Sequence, residues 1–222
     1  MQPRSPDIAD TTVYLAHQFQ DAEQQQEAAT LGMWVFLATE VLFFGGLFTG
    51  YTVYRFQFPT AFALASHRLS VMLGTINTAV LLTSSLTMAL AIHNAQTGRR
   101  KSVVAFLTIT MLLGAAFLGI KGYEYHQKFV EHLVPGSSFV FEPQSAREAQ
   151  MFFLLYFLMT GLHALHMVVG VGVVSALTIR TMKGRYTPAY YTPLEIGGLY
   201  WHFVDIVWIF LYPLLYLVGH HA

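Results

Sequence analysis

Five long apolar segments dominate this sequence and leave few folds open to it. They cover approximately residues 30–54, 69–93, 102–123, 149–180 and 196–218. An α-helix rises about 1.5 Å per residue, so each segment is long enough to cross roughly 30 Å of hydrocarbon. Because a helix satisfies its own backbone hydrogen bonds in lipid, the pattern predicts an all-α integral membrane bundle of five transmembrane helices.

The composition agrees with a membrane protein and excludes several functional classes. Hydrophobic residues make up 55% of the 222 residues, and charged residues only 11%, as is typical of chains that lie largely in lipid. The formal net charge is zero and no basic cluster extends beyond residues 99–101, so nucleic acid is not an expected partner. The absence of cysteine excludes disulfides, iron–sulfur ligation and thiolate nucleophiles.

The chain divides into a polar tail and a membrane domain. Residues 1–28 are polar and rich in Gln and Glu, and they lack the basic-then-apolar order of a signal peptide. They are predicted to form a flexible or interfacial tail. Residues 29–222 hold the five apolar segments and their short connections, so they are predicted to form one domain. Pro59 is expected to break the first helix.

The cations indicate an orientation, because short cytoplasmic loops retain Lys and Arg. Residues 99–101 supply three cations between the second and third segments. Arg180, Lys183 and Arg185 supply three more between the fourth and fifth. Both connections are therefore predicted to be cytoplasmic, although other cations fall on the opposite side. Five crossings then place the N-terminus in the cytoplasm and the C-terminus outside.

Five ionisable residues lie within the apolar segments, where such groups are costly. They are Glu40, His163, His166, His202 and Asp205. Counting the helical rise from the segment ends places all five at similar depth, in the inner half of the membrane. The short connection between the last two segments favours antiparallel neighbours. The histidines of the fourth segment are therefore expected to face His202 and Asp205.

The residues alone leave several interpretations open. In one, a structural polar seam of His163, His166, His202 and Asp205 holds the fourth and fifth helices together by hydrogen bonds. In another, Glu40 is a proton or lipid site; it is flanked by phenylalanines with no nearby cation, so we expect it to be uncharged. Haem ligation is disfavoured because the sequence offers only one hairpin of histidines. A metal site of three histidines and a carboxylate is disfavoured further, and no catalytic residue is predicted.

Three charged residues follow one another at the end of the third segment. Lys121, Glu124 and Lys128 have the i, i+3 and i+7 spacing that places side chains on one helix face. Long cationic side chains near a helix end can extend to water. The spacing therefore predicts interfacial anchors that pair with each other and reach the membrane surface.

Five motifs occur in order along these segments. They are LGMWVFLATEVLFF at 31–44, NTAVLLTSSLTMALA at 77–91, KGYEY at 121–125, MTGLHALHMVVG at 159–170 and YWHFVDIVWIFLY at 200–212. In sequence and order they resemble the motifs of subunit III of the haem–copper oxidases. The resemblance covers about residues 31–216, and the membrane carboxylate of the family's first motif corresponds to Glu40. Lys121 departs from the pattern, because the family usually has glutamine there.

The resemblance implies a non-catalytic role. Such a subunit has no haem or copper of its own and packs against subunit I, the catalytic subunit that holds them, and against other oxidase subunits in the bacterial inner membrane. It supports proton uptake and durability of the catalytic subunit and binds phospholipid in a cleft, to which Glu40 would belong. The C-terminus would then be periplasmic.

The chain resembles the shorter five-helix form of this family, found in bacterial quinol oxidases and some other terminal oxidases. It lacks the two leading helices that form one arm of the cleft in the seven-helix form, so helices of another subunit are expected to complete it. The nearest alternative is a subunit III-like accessory protein of a nitric oxide reductase. Alternatives of a different class are a free-standing membrane haem cytochrome and a transporter.

Overall fold

A computed structural model describes residues 18–142, 145–188 and 190–217, and these parts of the chain are almost entirely helical. The helices are α1 (Ala22–Gln57), α2 (Pro59–Ser66), α3 (Val71–Gln96), α4 (Arg100–Val130), α5 (Ala146–Met182) and α6 (Thr192–Tyr212), which a π-helical turn (Pro213–Leu217) extends. Among the described residues, five helices are long and apolar enough to cross a membrane: α1, α3, α4, α5 and extended α6. The predicted all-α fold and its five candidate transmembrane helices are confirmed for these residues.

The first helix begins inside the predicted polar tail. Asp21 caps it by accepting a hydrogen bond from the Gln24 backbone N–H at 2.7 Å, as short polar residues before a helix commonly do. Residues 22–28 are therefore helical and continuous with the membrane-spanning part of α1. Residues 1–17 of the predicted tail lie outside the described part of the chain.

Helix α2 was not predicted as a separate element. Pro59 is its first residue, a position that suits proline because no helical hydrogen bond needs its missing N–H. The break expected at Pro59 therefore leads directly into a second, short helix. Phe62 on α2 packs between Tyr51 of α1 and Phe152 of α5, with ring centroids 5.5 Å from each.

Four helices share the core, and α1 lies on their outside. Helices α3 and α5 each pack against both α4 and α6, whereas α1 contacts α5 and α6. Trp201 of α6 reaches across the core to Gly114 of α4 and Gly170 of α5. A Cβ at these two glycines would lie 2.6 Å and 3.1 Å from the indole ring. Glycine at both positions therefore lets a large aromatic side chain fill the centre of the bundle.

Candidate functional site

Glu40 on α1 and His166 on α5 form a polar pair between the two helices. His166 Nε2 lies 3.2 Å from Glu40 Oε2, and the side chains are 17% and 18% exposed. The contact is close, but its angle is poor for a hydrogen bond. Sequence reasoning selected both residues but placed His166 in a different group.

The imidazole of this pair has a defined tautomer. His166 Nδ1 lies 2.8 Å from the Leu162 carbonyl oxygen. Because a carbonyl oxygen can only accept, Nδ1 carries a hydrogen. Nε2 is the ring nitrogen that faces the Glu40 carboxyl group. The pair places a carboxyl group and an imidazole, two side chains capable of proton transfer, side by side at a partly open position on the bundle surface.

Aromatic residues surround the Glu40–His166 pair. The Phe44 ring meets the His166 ring edge to face at a centroid distance of 5.5 Å. The Tyr200 hydroxyl of α6 donates to the His166 backbone carbonyl at 3.0 Å, and Phe36 lies 6.1 Å from the Tyr200 ring. Residues of three helices therefore position the pair in a largely apolar surrounding.

His163 lies one turn away but in the interior. It is 1% exposed, and its ring packs against Phe117 of α4 and Trp208 of α6 at centroid distances of 5.4 Å and 5.3 Å. Neither ring nitrogen has a hydrogen-bond partner among the described residues. His163 thus contacts the last helix, as the polar seam predicts, but through ring packing rather than a hydrogen bond.

His202 and Asp205 of α6 face α3 instead of α5. The Ser85 hydroxyl of α3 lies 2.7 Å from His202 Nδ1. Asp205 is 2% exposed, and its polar neighbour is also Ser85. Neither carboxyl oxygen of Asp205 has a well-directed hydrogen bond among the described residues. These two side chains therefore join α6 to α3.

The prediction that these four residues form one polar seam between the fourth and fifth predicted helices is therefore wrong about which residues contact each other. Residues three apart on a helix point about 60° apart around its axis, so His163 turns into the core while His166 turns towards α1. Helix α6 contacts α1, α3 and α5, so its polar residues can face any of these three helices. The four residues therefore lie at several different helix interfaces and not at one.

The prediction that Lys121 and Glu124 pair with each other is confirmed, but the prediction that they reach water as interfacial anchors is wrong. They are 2% and 1% exposed, respectively. Lys121 Nζ lies 3.0 Å from Glu124 Oε2 and donates to the hydroxyls of Tyr156 at 3.0 Å and Tyr216 at 2.6 Å. The Tyr216 hydroxyl in turn donates to Glu124 Oε1 at 2.6 Å. All three ammonium hydrogens and both carboxylate oxygens are engaged.

Sequence reasoning missed the two tyrosines of this network because they are distant along the chain. Tyr156 and Tyr216 lie 35 and 95 residues from Lys121. Lys128, also predicted as an anchor, is 4% exposed and bonds Glu131 and the Arg68 carbonyl at 2.7 Å and 2.6 Å. The spacing along α4 could have indicated that these charged residues are buried. They continue the helical spacing of Gly114 and Phe117, which lie on the same buried face of the helix.

The described residues contain no group of three His, Asp or Glu side chains placed to hold a metal ion. The geometry instead gives a partly open Glu40–His166 contact, a buried Lys121–Glu124 ion pair and a hydrogen bond between Ser85 and His202.

Comparison with known proteins identifies the family. The family model described as cytochrome c oxidase subunit III matches residues 7–220. The quinol oxidase subunit 3 of Bacillus subtilis (strain 168) is 33% identical over 189 residues, covering 85% of this chain and 86% of the relative. The cytochrome c oxidase subunit 3 of Alkalihalophilus pseudofirmus is 34% identical over 192 residues, with 85% and 86% covered.

A vertebrate relative matches at a similar level. The cytochrome c oxidase subunit 3 of Gallus gallus is 32% identical over 204 residues, covering 87% of this chain and 71% of the relative. All five motifs found in the sequence fall within the region that the family model matches. The chain therefore belongs to the subunit III family of the haem–copper oxidases.

Proposed function

We propose that this subunit packs against the catalytic subunit I of a terminal oxidase in the bacterial inner membrane, together with other oxidase subunits. Haem and copper would be held by the catalytic subunit, and this chain would support its stability and its proton uptake. The observation that carries the proposal is the Glu40–His166 pair, a carboxyl group and an imidazole in contact at a partly open position on the bundle surface.

The surface of α1 supports a neighbour at this position. Only 11% of the residues in the most apolar stretch of α1 are buried inside the bundle, against 28–56% in the corresponding stretches of the other spanning helices. Large apolar side chains such as Leu42 and Phe43, next to Glu40 in sequence, are 77% and 47% exposed. We propose that bound phospholipid covers this side of α1 and that helices of another subunit complete the lipid cleft.

Copurification tests the assignment. The tagged full chain would be isolated from native membranes in mild detergent, its partners identified and an optical spectrum recorded. We expect stoichiometric copurification with a haem-containing oxidase catalytic subunit. A nitric oxide reductase catalytic subunit would favour the accessory alternative. A lone protein with a Soret band would indicate a cytochrome, and a lone colourless protein a transporter.

Substitution at Glu40 tests the role of the pair. Glutamine has nearly the same size and shape as glutamic acid, so it can keep the contact with His166, but its amide group cannot take up or release a proton. Glu40→Gln should therefore assemble at the wild-type level, while the oxidase should lose activity sooner during turnover. Glu27→Gln, at an exposed position of the same helix, is the matched control. A severe assembly defect in Glu40→Gln would show that the carboxyl group is structural instead.

A further inference from the structure

The connections between α3 and α4 and between α5 and α6 meet at one end of the bundle. They enclose a cavity of about 240 Å³. The connections touch each other, since a Cβ on Gly98 would lie 3.2 Å from Pro188 Cγ. One wall is apolar and includes Val103 and Leu194, whereas Arg100 and Tyr186 bring polar groups to the lining.

Exposed cations are concentrated at this end of the bundle, and Arg100 is one of the residues that line the cavity. Six are present in the two connections and the adjoining helix ends, namely Arg99, Arg100, Lys101, Arg180, Lys183 and Arg185. Residues 94–105 and 178–198 contain one carboxylate, that of Glu195. Burial raises the pKa of the Tyr186 phenol, and Arg180 and Arg185 oppose that rise, so both cations act on the cavity lining. The local field therefore favours an anion.

Two polar groups are already positioned at the cavity. Arg100 Nε donates to the Thr181 carbonyl at 2.9 Å, and the same guanidinium also donates to the Met182 carbonyl. These bonds fix the guanidinium at the end of α5 and leave N–H groups over, because arginine has five. The Tyr186 hydroxyl oxygen is buried; Arg180 is its polar neighbour, but no well-directed hydrogen bond to the hydroxyl is present among the described residues.

We propose that this cavity binds the phosphate headgroup of an anionic phospholipid. Its volume lies below the usual range of pockets for drug-sized ligands, so it can hold a small group such as a glycerophosphate but not a folded protein segment. It lies where spanning helices end, which is the depth of lipid headgroups, and its apolar wall can accommodate the glycerol backbone. Arg100 and Tyr186 donate to the phosphate oxygens, and the surrounding cations add long-range attraction. The site is separate from the Glu40–His166 pair and does not depend on the role proposed there.

Lipid retention measures the proposed site directly. The full chain, with the subunits that copurify, would be placed in phosphatidylcholine nanodiscs containing increasing fractions of phosphatidylglycerol, and retained lipid would be counted by native mass spectrometry. Tyr186→Phe removes a single hydroxyl group and should weaken phosphatidylglycerol retention about tenfold. Arg185→Gln should weaken it roughly fivefold. Arg147→Gln makes the same charge change at the start of α5, at the opposite end of that helix from the cavity, and should match the wild type.

Three results would overturn the proposal. The first is equal phosphatidylglycerol retention in the wild type and both site variants. The second is competition by millimolar inorganic phosphate as strong as competition by the lipid, which would indicate a site for free phosphate. The third is loss of a protein partner, rather than a lipid, in Tyr186→Phe and Arg185→Gln, which would indicate a protein contact.

Discussion

Lys121 shows how a charge is accommodated inside this bundle. Its ammonium group has three hydrogen-bond partners on α4, α5 and the π-helical turn, and the rings of Trp208 and Tyr156 lie 5.2 Å and 4.8 Å from Nζ. A buried ion pair is tolerated when every remaining polar atom is satisfied. Here the Tyr216 hydroxyl completes the acceptor side of Glu124.

Removing one member of this pair should be more harmful than removing both. Lys121→Met leaves a buried carboxylate without its cation and should destabilise the chain by about 3–5 kcal/mol. Adding Glu124→Met should recover much of that loss. Thermal unfolding of the full chain in detergent would measure both, with the exposed Lys101→Met as the control. A double variant less stable than Lys121→Met would contradict this account.

Asp205 should matter for assembly more than for turnover. Its side chain is 2% exposed and lies beside Ser85, so truncation would disturb the contact between α6 and α3. Asp205→Ala should lower the amount of assembled complex while activity per complex stays close to the wild type. Quantifying haem and this chain in purified complexes would separate the two effects. Normal assembly with an altered haem spectrum would contradict a structural role.

At the scale of helices, close approach around Trp201 determines how α4, α5 and α6 fit together. The indole ring occupies space that a side chain at Gly114 or Gly170 would need, and its N–H donates to the Ser84 hydroxyl of α3 at 3.0 Å. One residue thus contacts all three neighbouring core helices. Small residues such as Gly170 and Ser84 therefore make room for this aromatic side chain in the core.

Two glycines of α4 should respond oppositely to the same substitution. Gly114→Ala would place Cβ 2.6 Å from the Trp201 ring and should cost about 1–3 kcal/mol through overpacking. Gly119→Ala meets no atom within 4 Å and should be neutral or stabilising by up to about 1 kcal/mol, because alanine favours helix. Thermal unfolding of the full chain would compare them. Equal effects would mean that α4 adjusts freely around Trp201.

At the scale of the whole molecule, the two connections that carry the cations lie at one end of the bundle. The connection between α4 and α5 follows a further membrane crossing and belongs to the other end. We propose that the cationic end faces the cytoplasm, as short loops rich in Lys and Arg do.

The orientation can be tested cleanly because the chain has no cysteine. Thr97 and Ser137 are exposed residues of the α3–α4 and α4–α5 connections, so cysteine at either should be accessible on its own side. A membrane-impermeant maleimide should label Ser137→Cys in intact spheroplasts and Thr97→Cys only after lysis. The reverse pattern would invert the proposed orientation.

Local sequence patterns were sufficient for the helices and the family. The length of each apolar segment predicts a spanning helix, and the order of the five motifs identifies the family. Both properties are read along the chain without knowing which residues meet. Helix α2 is the exception, because eight residues are too few to distinguish a short helix from a turn.

The contacts of the ionisable residues were decided only by the tertiary structure. The sequence pattern selects Glu40 but assigns His166, which lies beside it, to another interface, and it predicts Lys121 at the surface although this residue is buried. In water, the polar face of a helix marks its outer side. In lipid, the outer side is as apolar as the interior, so the sequence specifies helices but not their rotation. The partners depend on that rotation, which only packing of all the helices determines.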